Sequence, residues 1–169
     1  MMETKDYKEG IREYDTYVFD LDGMEEHSVD DVRRFVGNGV RKLMERAIPQ
    51  GDSNPLFDKT YADFRMHYME HNLDTTTPYP GIMDLLSRLK ERNKKVAVVS
   101  NKFYAATQAL CRHFFGDLVD VAIGERENIR KKPAPDTVEE ALRQLGADKV
   151  GAVYIGDSDV DIMTACNCQ

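Results

Sequence analysis

The sequence predicts an α/β fold in which helices flank a parallel sheet. From residue 82 onward, helical patterns alternate with short apolar segments that have the composition of buried strands. A similar apolar segment at 17–23 ends in two acids and a glycine. Because strands that alternate with helices form parallel sheets with right-handed crossovers, we expect a Rossmann-like sheet between helices.

The length and composition fit one domain with a small insert. The chain has 169 residues, a hydrophobic fraction of 41% and a formal net charge of -7. This charge argues against general nucleic-acid binding, and no apolar run has the length of a membrane span. The N-terminus is too polar for a signal peptide, so we expect a cytoplasmic protein. Cys111, Cys166 and Cys168 form no C-x-x-C pair and are interpreted as reduced thiols.

The predicted strand at 17–23 carries two carboxylates at its end. Asp20 and Asp22 stand two residues apart, so both point to the same face of a strand. Two carboxylates on one face repel each other unless a cation lies between them or one is protonated. The pair is therefore either two solvated acids or part of a cation site.

Two amphipathic helices and a linker are predicted before residue 82. Ser28, with Asp31 three residues later, is typical of a helix N-terminus. Glycines interrupt the first apolar pattern, which leaves two starts open for this helix, one just after Ser28 and one at about Gly39. The predicted elements are helices at 32–47 and 56–73 and a linker rich in proline and threonine at 74–81.

The remaining chain alternates between helix and strand. Proline near the start of the last helical pattern and Gly146 after it are typical helix boundaries. The predicted helices are at 82–92, 103–115 and 133–145, and the predicted strands are at 96–99, 118–123 and 150–155. The carboxyl ends of these strands meet at one edge of the sheet, where ligands bind in such folds.

Polar side chains occur at four strand ends or in the loops that follow them. They are Asp20 with Asp22, Ser100 with Asn101, Lys132, and Asp157 with Asp161. The acids form an all-oxygen donor set, which suits Mg²⁺ better than zinc. Together with a hydroxyl, a lysine and backbone amides, a carboxylate nucleophile at this edge indicates phosphoryl transfer.

Four segments resemble, in order, the motifs of the haloacid dehalogenase-like hydrolases. They are FDLDG at 19–23, VVSNK at 98–102, KKPAPD at 131–136 and YIGDSDVD at 154–161. The similarity is greatest to the phosphoglycolate phosphatase branch, whose cap segment and return linker resemble FVGNGVR at 35–41 and PYPG at 78–81. The resemblance implies an α/β core at 1–23 and 79–169 and a partial helical cap at 24–78.

The resemblance also implies a role for each matching residue. Asp20 would attack phosphorus and form an aspartyl-phosphate, while Asp22 would protonate the leaving alcohol and then activate water. Ser100 and Asn101 would bind the phosphoryl group, and Lys132 would neutralise its charge.

The family further implies that Mg²⁺ is bound by Asp20, Asp22, Asp157 and Asp161. The expected activity is Mg²⁺-dependent hydrolysis of a small phosphate monoester similar to phosphoglycolate. The expected partner is a small phosphorylated metabolite, with neither nucleic acid nor membrane, and a homodimer is an additional expectation.

Two departures from the family keep other functions open. Met24 stands where the family has threonine, and few residues separate Gly23 from the cap segment. The family also continues beyond the fourth motif, so the sequence is either part of a longer protein or a shortened relative. The alternatives are a catalytically impaired relative that binds Mg²⁺ and phosphate or acts as an interaction module, a phosphoglucomutase-type transferase, and a receiver-like module.

Two further features have weaker interpretations. Asn38 and Arg41 lie in the segment that faces the active site in the family, so they are candidate substrate contacts. His67 and His71 are four residues apart on a predicted helix, but no third metal ligand accompanies them. We interpret the two histidines as part of a solvated helix face.

Overall fold

The computed structural model describes residues 27–36 and 38–168. The predicted strand at 17–23 lies outside these residues. The described elements are α1 (Val29–Phe35), α2 (Val40–Ala47), α3 (Phe57–His71), α4 (Ile82–Glu91), β1 (Ala97–Phe103), α5 (Tyr104–Phe115), β2 (Val121–Glu125), α6 (Asp136–Leu145) and α7 (Asp159–Asn167). Among these helices, none is long and apolar enough to cross a bilayer.

Helices α1 to α3 pack around a shared core within the predicted cap region at 24–78, and we call them the cap helices. The predicted N-terminus of α1 is confirmed, because the Asp31 amide donates a hydrogen bond to Ser28 Oγ and the Ser28 amide donates to Asp31 Oδ2. Gly39 has φ +87° and precedes α2, as the glycine pattern predicts. Their core consists of Leu43, Met44, Ile48 and Phe57, with Phe35, Tyr61 and Phe64 packed against it.

The two described strands form a parallel sheet, which confirms the predicted α/β class. Residues 97–99 of β1 pair with residues 121–123 of β2, and the register shifts before Phe103 pairs with Glu125. Helices α5 and α6 both pack against the two strands. The strand β1 continues through residues 100–103, where the sequence predicts a loop and the start of a helix.

The predicted strand at 150–155 is wrong for the described structure. Residues 149–151 form a short 3₁₀ turn, and residues 152–156 follow without regular secondary structure. Val150, Val153 and Ile155 are 90%, 83% and 81% exposed. A strand requires a hydrogen-bonded neighbour as well as β-favouring residues, and no described segment pairs with this one.

Replacement of Gly124 by alanine is expected to destabilise the protein. Gly124 lies in β2, and a Cβ there would be 2.6 Å from Tyr104 Cα and 2.8 Å from the Lys102 carbonyl oxygen. Because both neighbours are backbone atoms, the strand and α5 must move apart. We expect Gly124→Ala to lower the free energy of unfolding by about 2–3 kcal/mol, measured by urea denaturation.

Gly151→Ala is the matched control for this prediction. A Cβ at Gly151 would meet no atom within 4 Å. We expect its free energy of unfolding to stay within about 0.5 kcal/mol of the parent value. Equal effects of the two substitutions would contradict the packing argument.

Asp120, the residue before β2, links the start of the sheet to α4. Its carboxylate accepts hydrogen bonds from Lys90 Nζ and, at 2.8 Å, from the Val96 amide. Burial acts to raise the pKa of Asp120, but Lys90 and the Val96 amide outweigh it and hold the pKa below the ordinary value of 3.8. The unfolded chain therefore binds a proton at Asp120 more readily than the folded chain.

A pH dependence of stability follows from this carboxylate. The stabilisation that Asp120 supplies is present above its ordinary pKa and is lost as the pH falls through the lower folded pKa. The measurement is urea denaturation between pH 6 and pH 3, about the range of carboxyl titration. As the pH falls, the free energy of unfolding should decrease less steeply for Asp120→Asn than for the parent protein. Asp117→Asn, a change at an exposed acid in the turn before β2, should retain the slope of the parent protein. Indistinguishable slopes for Asp120→Asn and the parent would contradict the assignment.

Candidate active site

Ser100 and Asn101 lie in the last part of β1, at the edge where the sequence predicts phosphate binding. The two residues fall between Val99 and Phe103, where the β1–β2 register shifts. The Lys102 amide donates a 3.1 Å hydrogen bond to Ser100 Oγ. The Ser100 hydroxyl is therefore held by the backbone two residues further along β1.

Asn101 joins this strand end to the loop that carries Lys132. Its side-chain amide donates a 3.0 Å hydrogen bond to the Lys132 carbonyl oxygen. The Lys132 amide donates in return to Asn101 Oδ1 at 2.8 Å. Two of the predicted site residues are thus held together by a pair of hydrogen bonds across 31 positions of sequence.

The Lys132 side chain forms a buried ion pair with Asp161. Its ammonium nitrogen lies 2.7 Å from Asp161 Oδ1, and the two side chains are only 13% and 9% exposed. The structure therefore brings together residues from the second, third and fourth predicted motifs.

Four donors surround the Asp161 carboxylate. Lys132 Nζ and the Tyr154 hydroxyl donate to Oδ1, at 2.7 and 2.8 Å. The Ser158 hydroxyl and amide donate to Oδ2, at 2.6 and 3.2 Å. Burial acts to raise the pKa of Asp161, but Lys132, Ser158 and Tyr154 outweigh burial and hold the pKa well below its ordinary range. Asp161 is therefore a permanent anion near neutral pH.

Asp157 and Asp161 lie on either side of the start of a helix. Helix α7 begins at Asp159, with Ser158 as its N-cap, and Asp161 completes a capping box with Ser158. Asp157 precedes the helix. The Ser-x-x-Asp pattern at 158–161 is the sequence signal for this arrangement.

Gly156 allows the backbone to approach the Asp161 side chain closely. A Cβ at Gly156 would lie 2.4 Å from both Cβ and Cγ of Asp161. No larger residue fits here unless Asp161 moves. The absence of a side chain at Gly156 therefore helps to fix the position of Asp161.

Only two of the four predicted metal ligands, Asp157 and Asp161, lie among the described residues. Asp157 is exposed, and no hydrogen bond joins its carboxylate to another described residue. Asp20 and Asp22 lie outside the described ranges. Within those ranges, no group of three or more histidine, cysteine, aspartate or glutamate residues is arranged to hold a metal ion.

Tyr154 contacts Asp161, although its position in the sequence does not predict this contact. It lies in the segment that the sequence predicts as a strand, and its apolar neighbours gave no indication of a polar role. Ser158 was also missed as a partner of Asp161, although its capping-box pattern was available in the sequence.

The cap helices meet the site at Gly39. A Cβ at this glycine would lie 2.7 Å from Lys131 Nζ and 3.0 Å from Glu125 Oε2. Lys131 lies 3.7 Å from the other oxygen of Glu125, and Glu125 Oε2 is buried without a hydrogen-bond partner among the described residues. The predicted cap segment therefore contacts the residue adjacent to Lys132.

The two candidate substrate contacts in this segment differ in their surroundings. The Arg41 guanidinium lies 4.8 Å from the centroid of the Phe57 ring and pairs with Glu45, so it contacts other parts of the cap. Asn38 is half-buried. A further contact between cap and strand is made by Lys102 Nζ, which donates to the Tyr68 hydroxyl at 3.0 Å.

The fold and the joined motifs define a haloacid dehalogenase-like protein. A sequence model of the family described as "Haloacid dehalogenase-like hydrolase" matches residues 5–169. The chain belongs to this family.

Phosphoglycolate phosphatases are among the relatives that the chain resembles. The chain is 34% identical over 142 residues to the phosphoglycolate phosphatase of Aquifex aeolicus, and 36% identical over 143 residues to that of Rhodobacter capsulatus. These matches cover 83% and 82% of this chain. The chain spans 64% of the length of each of these two relatives.

A solved structure supports the same relationship. The crystal structure of a candidate phosphoglycolate phosphatase from Lactobacillus delbrueckii subsp. bulgaricus superimposes with a TM-score of 0.76 and 35% sequence identity. The superposition covers 85% of this chain and 69% of the other.

Proposed function

We propose that this protein is a Mg²⁺-dependent phosphatase that hydrolyses a small phosphate monoester similar to phosphoglycolate. The observation that carries the proposal is the chain of contacts from Asn101 through Lys132 to Asp161. The Lys132 backbone is hydrogen-bonded to Asn101 at the end of β1, next to the Ser100 hydroxyl, and the Lys132 ammonium group is fixed by Asp161. A fixed cation and preorganised donors are what a transferring phosphoryl group requires.

The proposed reaction uses an aspartyl-phosphate intermediate. Asp20 would attack phosphorus as the nucleophile, and the alcohol would leave with a proton from Asp22. Asp22 would then remove a proton from the water that hydrolyses the intermediate, which regenerates the Asp20 carboxylate and releases phosphate. Lys132, Ser100 and the Asn101 amide would bind the phosphoryl oxygens throughout.

The donor chemistry of the chain fits a magnesium ion. Every proposed ligand is an oxygen, and the exposed Asp157 carboxylate has no described hydrogen-bond partner that would compete with a metal. Asp20, the Asp22 carbonyl and Asp157 would hold the ion, with Asp161 beside it. When bound, Mg²⁺ would offset negative charge between the phosphate and the carboxylates.

The organisation of the chain and its setting are part of the proposal. Residues 24–78 would form the partial cap, and residues 1–23 and 79–169 the core, with the predicted strand at 17–23 presenting Asp20 and Asp22. The substrate would be a small phosphorylated metabolite in the cytoplasm. Neither nucleic acid nor a membrane is required, and a homodimer is compatible with the mechanism.

Hydrolysis of an aryl phosphate tests the proposal without assuming a natural substrate. We expect turnover that depends on Mg²⁺, stops on addition of a chelator and returns when Mg²⁺ is restored. The intact mass of the assayed chain should equal that of the 169-residue sequence. A folded sample that binds Mg²⁺ and phosphate without turnover would instead indicate a binding-only relative.

A further inference from the structure

The side chain of Tyr154 is turned inward, unlike those of its neighbours. Val153 and Ile155 are both exposed to solvent, whereas Tyr154 is half-buried. Its hydroxyl donates a 2.8 Å hydrogen bond to Asp161 Oδ1. The same oxygen accepts the hydrogen bond from Lys132 Nζ. Tyr154 therefore contacts the carboxylate that holds the lysine of the site.

The hydrogen-bonding capacity of Asp161 is fully used by this chain. A carboxylate offers about four lone-pair positions, two on each oxygen. Lys132 and Tyr154 donate to Oδ1, and the hydroxyl and amide of Ser158 donate to Oδ2. A metal ion bound directly to Asp161 would have to displace one of these donors. The carboxylate of Asp157, by contrast, has no described hydrogen-bond partner.

We propose that Tyr154 is a positioning residue, whose hydroxyl group fixes the Asp161 carboxylate so that it orients the Lys132 ammonium rather than binding the metal directly. The inference rests on the proposed function, because the group that Lys132 would contact is the substrate phosphate. The proposal assigns different roles to Asp157 and Asp161. Asp157 serves the metal, and Asp161 serves the lysine.

The Tyr154 hydroxyl remains a hydrogen-bond donor throughout the range in which the site would work. Burial raises the pKa of Tyr154, and the hydrogen bond to the Asp161 anion raises the pKa further. Loss of the hydroxyl would leave Asp161 Oδ1 with Lys132 as its remaining described donor. The carboxylate could then rotate, and the ammonium group would move with it.

The test compares Tyr154→Phe with Tyr104→Phe. The first substitution removes one hydroxyl group without changing the ring. The second makes the same change at another half-buried tyrosine, the first residue of α5, whose ring packs against Arg126. Calorimetry would measure Mg²⁺ affinity first, and then the affinity for inorganic phosphate in the presence of Mg²⁺.

We expect Tyr154→Phe to weaken phosphate binding by about tenfold, the typical effect of losing a hydrogen bond to a charged group. Mg²⁺ affinity should stay within about twofold of the parent, and Tyr104→Phe should change neither quantity. Asp161→Asn should follow the pattern of Tyr154→Phe, whereas Asp157→Asn should lose Mg²⁺ affinity. This second pair keeps the test decisive if Tyr154→Phe fails to fold.

Other outcomes separate this inference from the proposed function. A fall in Mg²⁺ affinity for Tyr154→Phe or Asp161→Asn would overturn the inference, because Asp161 would then serve the metal. Unchanged phosphate affinity in both variants would also overturn it. A parent protein that binds phosphate in the expected pattern but shows no turnover would contradict the proposed function alone. Failure of the parent to bind phosphate would overturn both.

Discussion

Replacement of Asp20 by asparagine is expected to lower kcat for aryl phosphate hydrolysis by at least about a thousandfold, the scale of effect seen when a nucleophile is removed. Asparagine has nearly the same shape as aspartate, but its amide cannot attack phosphorus as a carboxylate does. In the proposed reaction no other residue replaces this step. The measurement is steady-state turnover at saturating Mg²⁺, with the parent protein assayed in parallel.

The interpretation of Asp20→Asn depends on the variant remaining folded. Its urea denaturation midpoint should be close to that of the parent, and Asp117→Asn, the same chemical change at an exposed acid, should retain full turnover. A folded Asp20→Asn variant that retained more than about a tenth of parent activity would contradict the aspartyl-phosphate mechanism. It would point to direct attack by water.

Replacement of Lys132 by methionine is expected to reduce both turnover and stability. Asp161 is buried, and the ammonium group of Lys132 is the cation within ion-pair distance of it among the described residues. Removal of one partner of a buried ion pair leaves an uncompensated charge and typically costs about 3–5 kcal/mol. Because Tyr154 and Ser158 still donate to Asp161, we expect a loss of about 2–3 kcal/mol in the free energy of unfolding.

The effect of Lys132→Met on catalysis should exceed its effect on folding. At a temperature and pH where the variant is fully folded, kcat should fall by about a hundredfold or more, as when a preorganised stabilising group is lost. Turnover measured well below the unfolding midpoint separates this effect from a loss of folded protein. Parent-like turnover in the folded variant would show that Lys132 does not contribute to catalysis.

A double substitution tests whether the stability loss comes from the buried charge. Lys132→Met combined with Asp161→Asn removes both charges, so part of the lost unfolding free energy should return relative to Lys132→Met alone. Lys131→Met is the matched control, because Lys131 is more exposed and its ion pair with Glu125 is longer, at 3.7 Å. Its effect should be below about 1 kcal/mol. A Lys132→Met variant as stable as the parent would contradict the argument.

Local patterns predicted most of the helices in the described chain. The helix predicted at 82–92 is α4 at Ile82–Glu91, and the Ser28 capping pattern correctly indicates the start of α1. The strand predicted at 150–155 failed because strand formation depends on pairing with a neighbour, which residue composition does not reveal. For β1 the opposite error occurred, since polar residues after Val99 suggested a loop although the strand continues to Phe103.

The site could be predicted as a set of residues but not as a set of contacts. Ser100, Asn101 and Lys132 were placed together by the rule that parallel strands end at one edge. The hydrogen bonds between Asn101 and Lys132, and the contact between Tyr154 and Asp161, depend on side-chain geometry that no spacing rule specifies. Asp20 and Asp22 remain predictions, because they lie outside the described residues.

The distances in sequence between the site residues have a consequence for synthesis on the ribosome. Asn101 can pair with Lys132 as soon as the loop after β2 has emerged, but the partner of the lysine side chain lies 29 residues later. Translation proceeds at about 5–20 residues per second, so the lysine spends at least a second or two without its counterion. A nascent chain that has not reached Asp161 carries the strand end and the lysine but lacks the carboxylate that pairs with the lysine. Premature termination in this interval would yield a product without the assembled site.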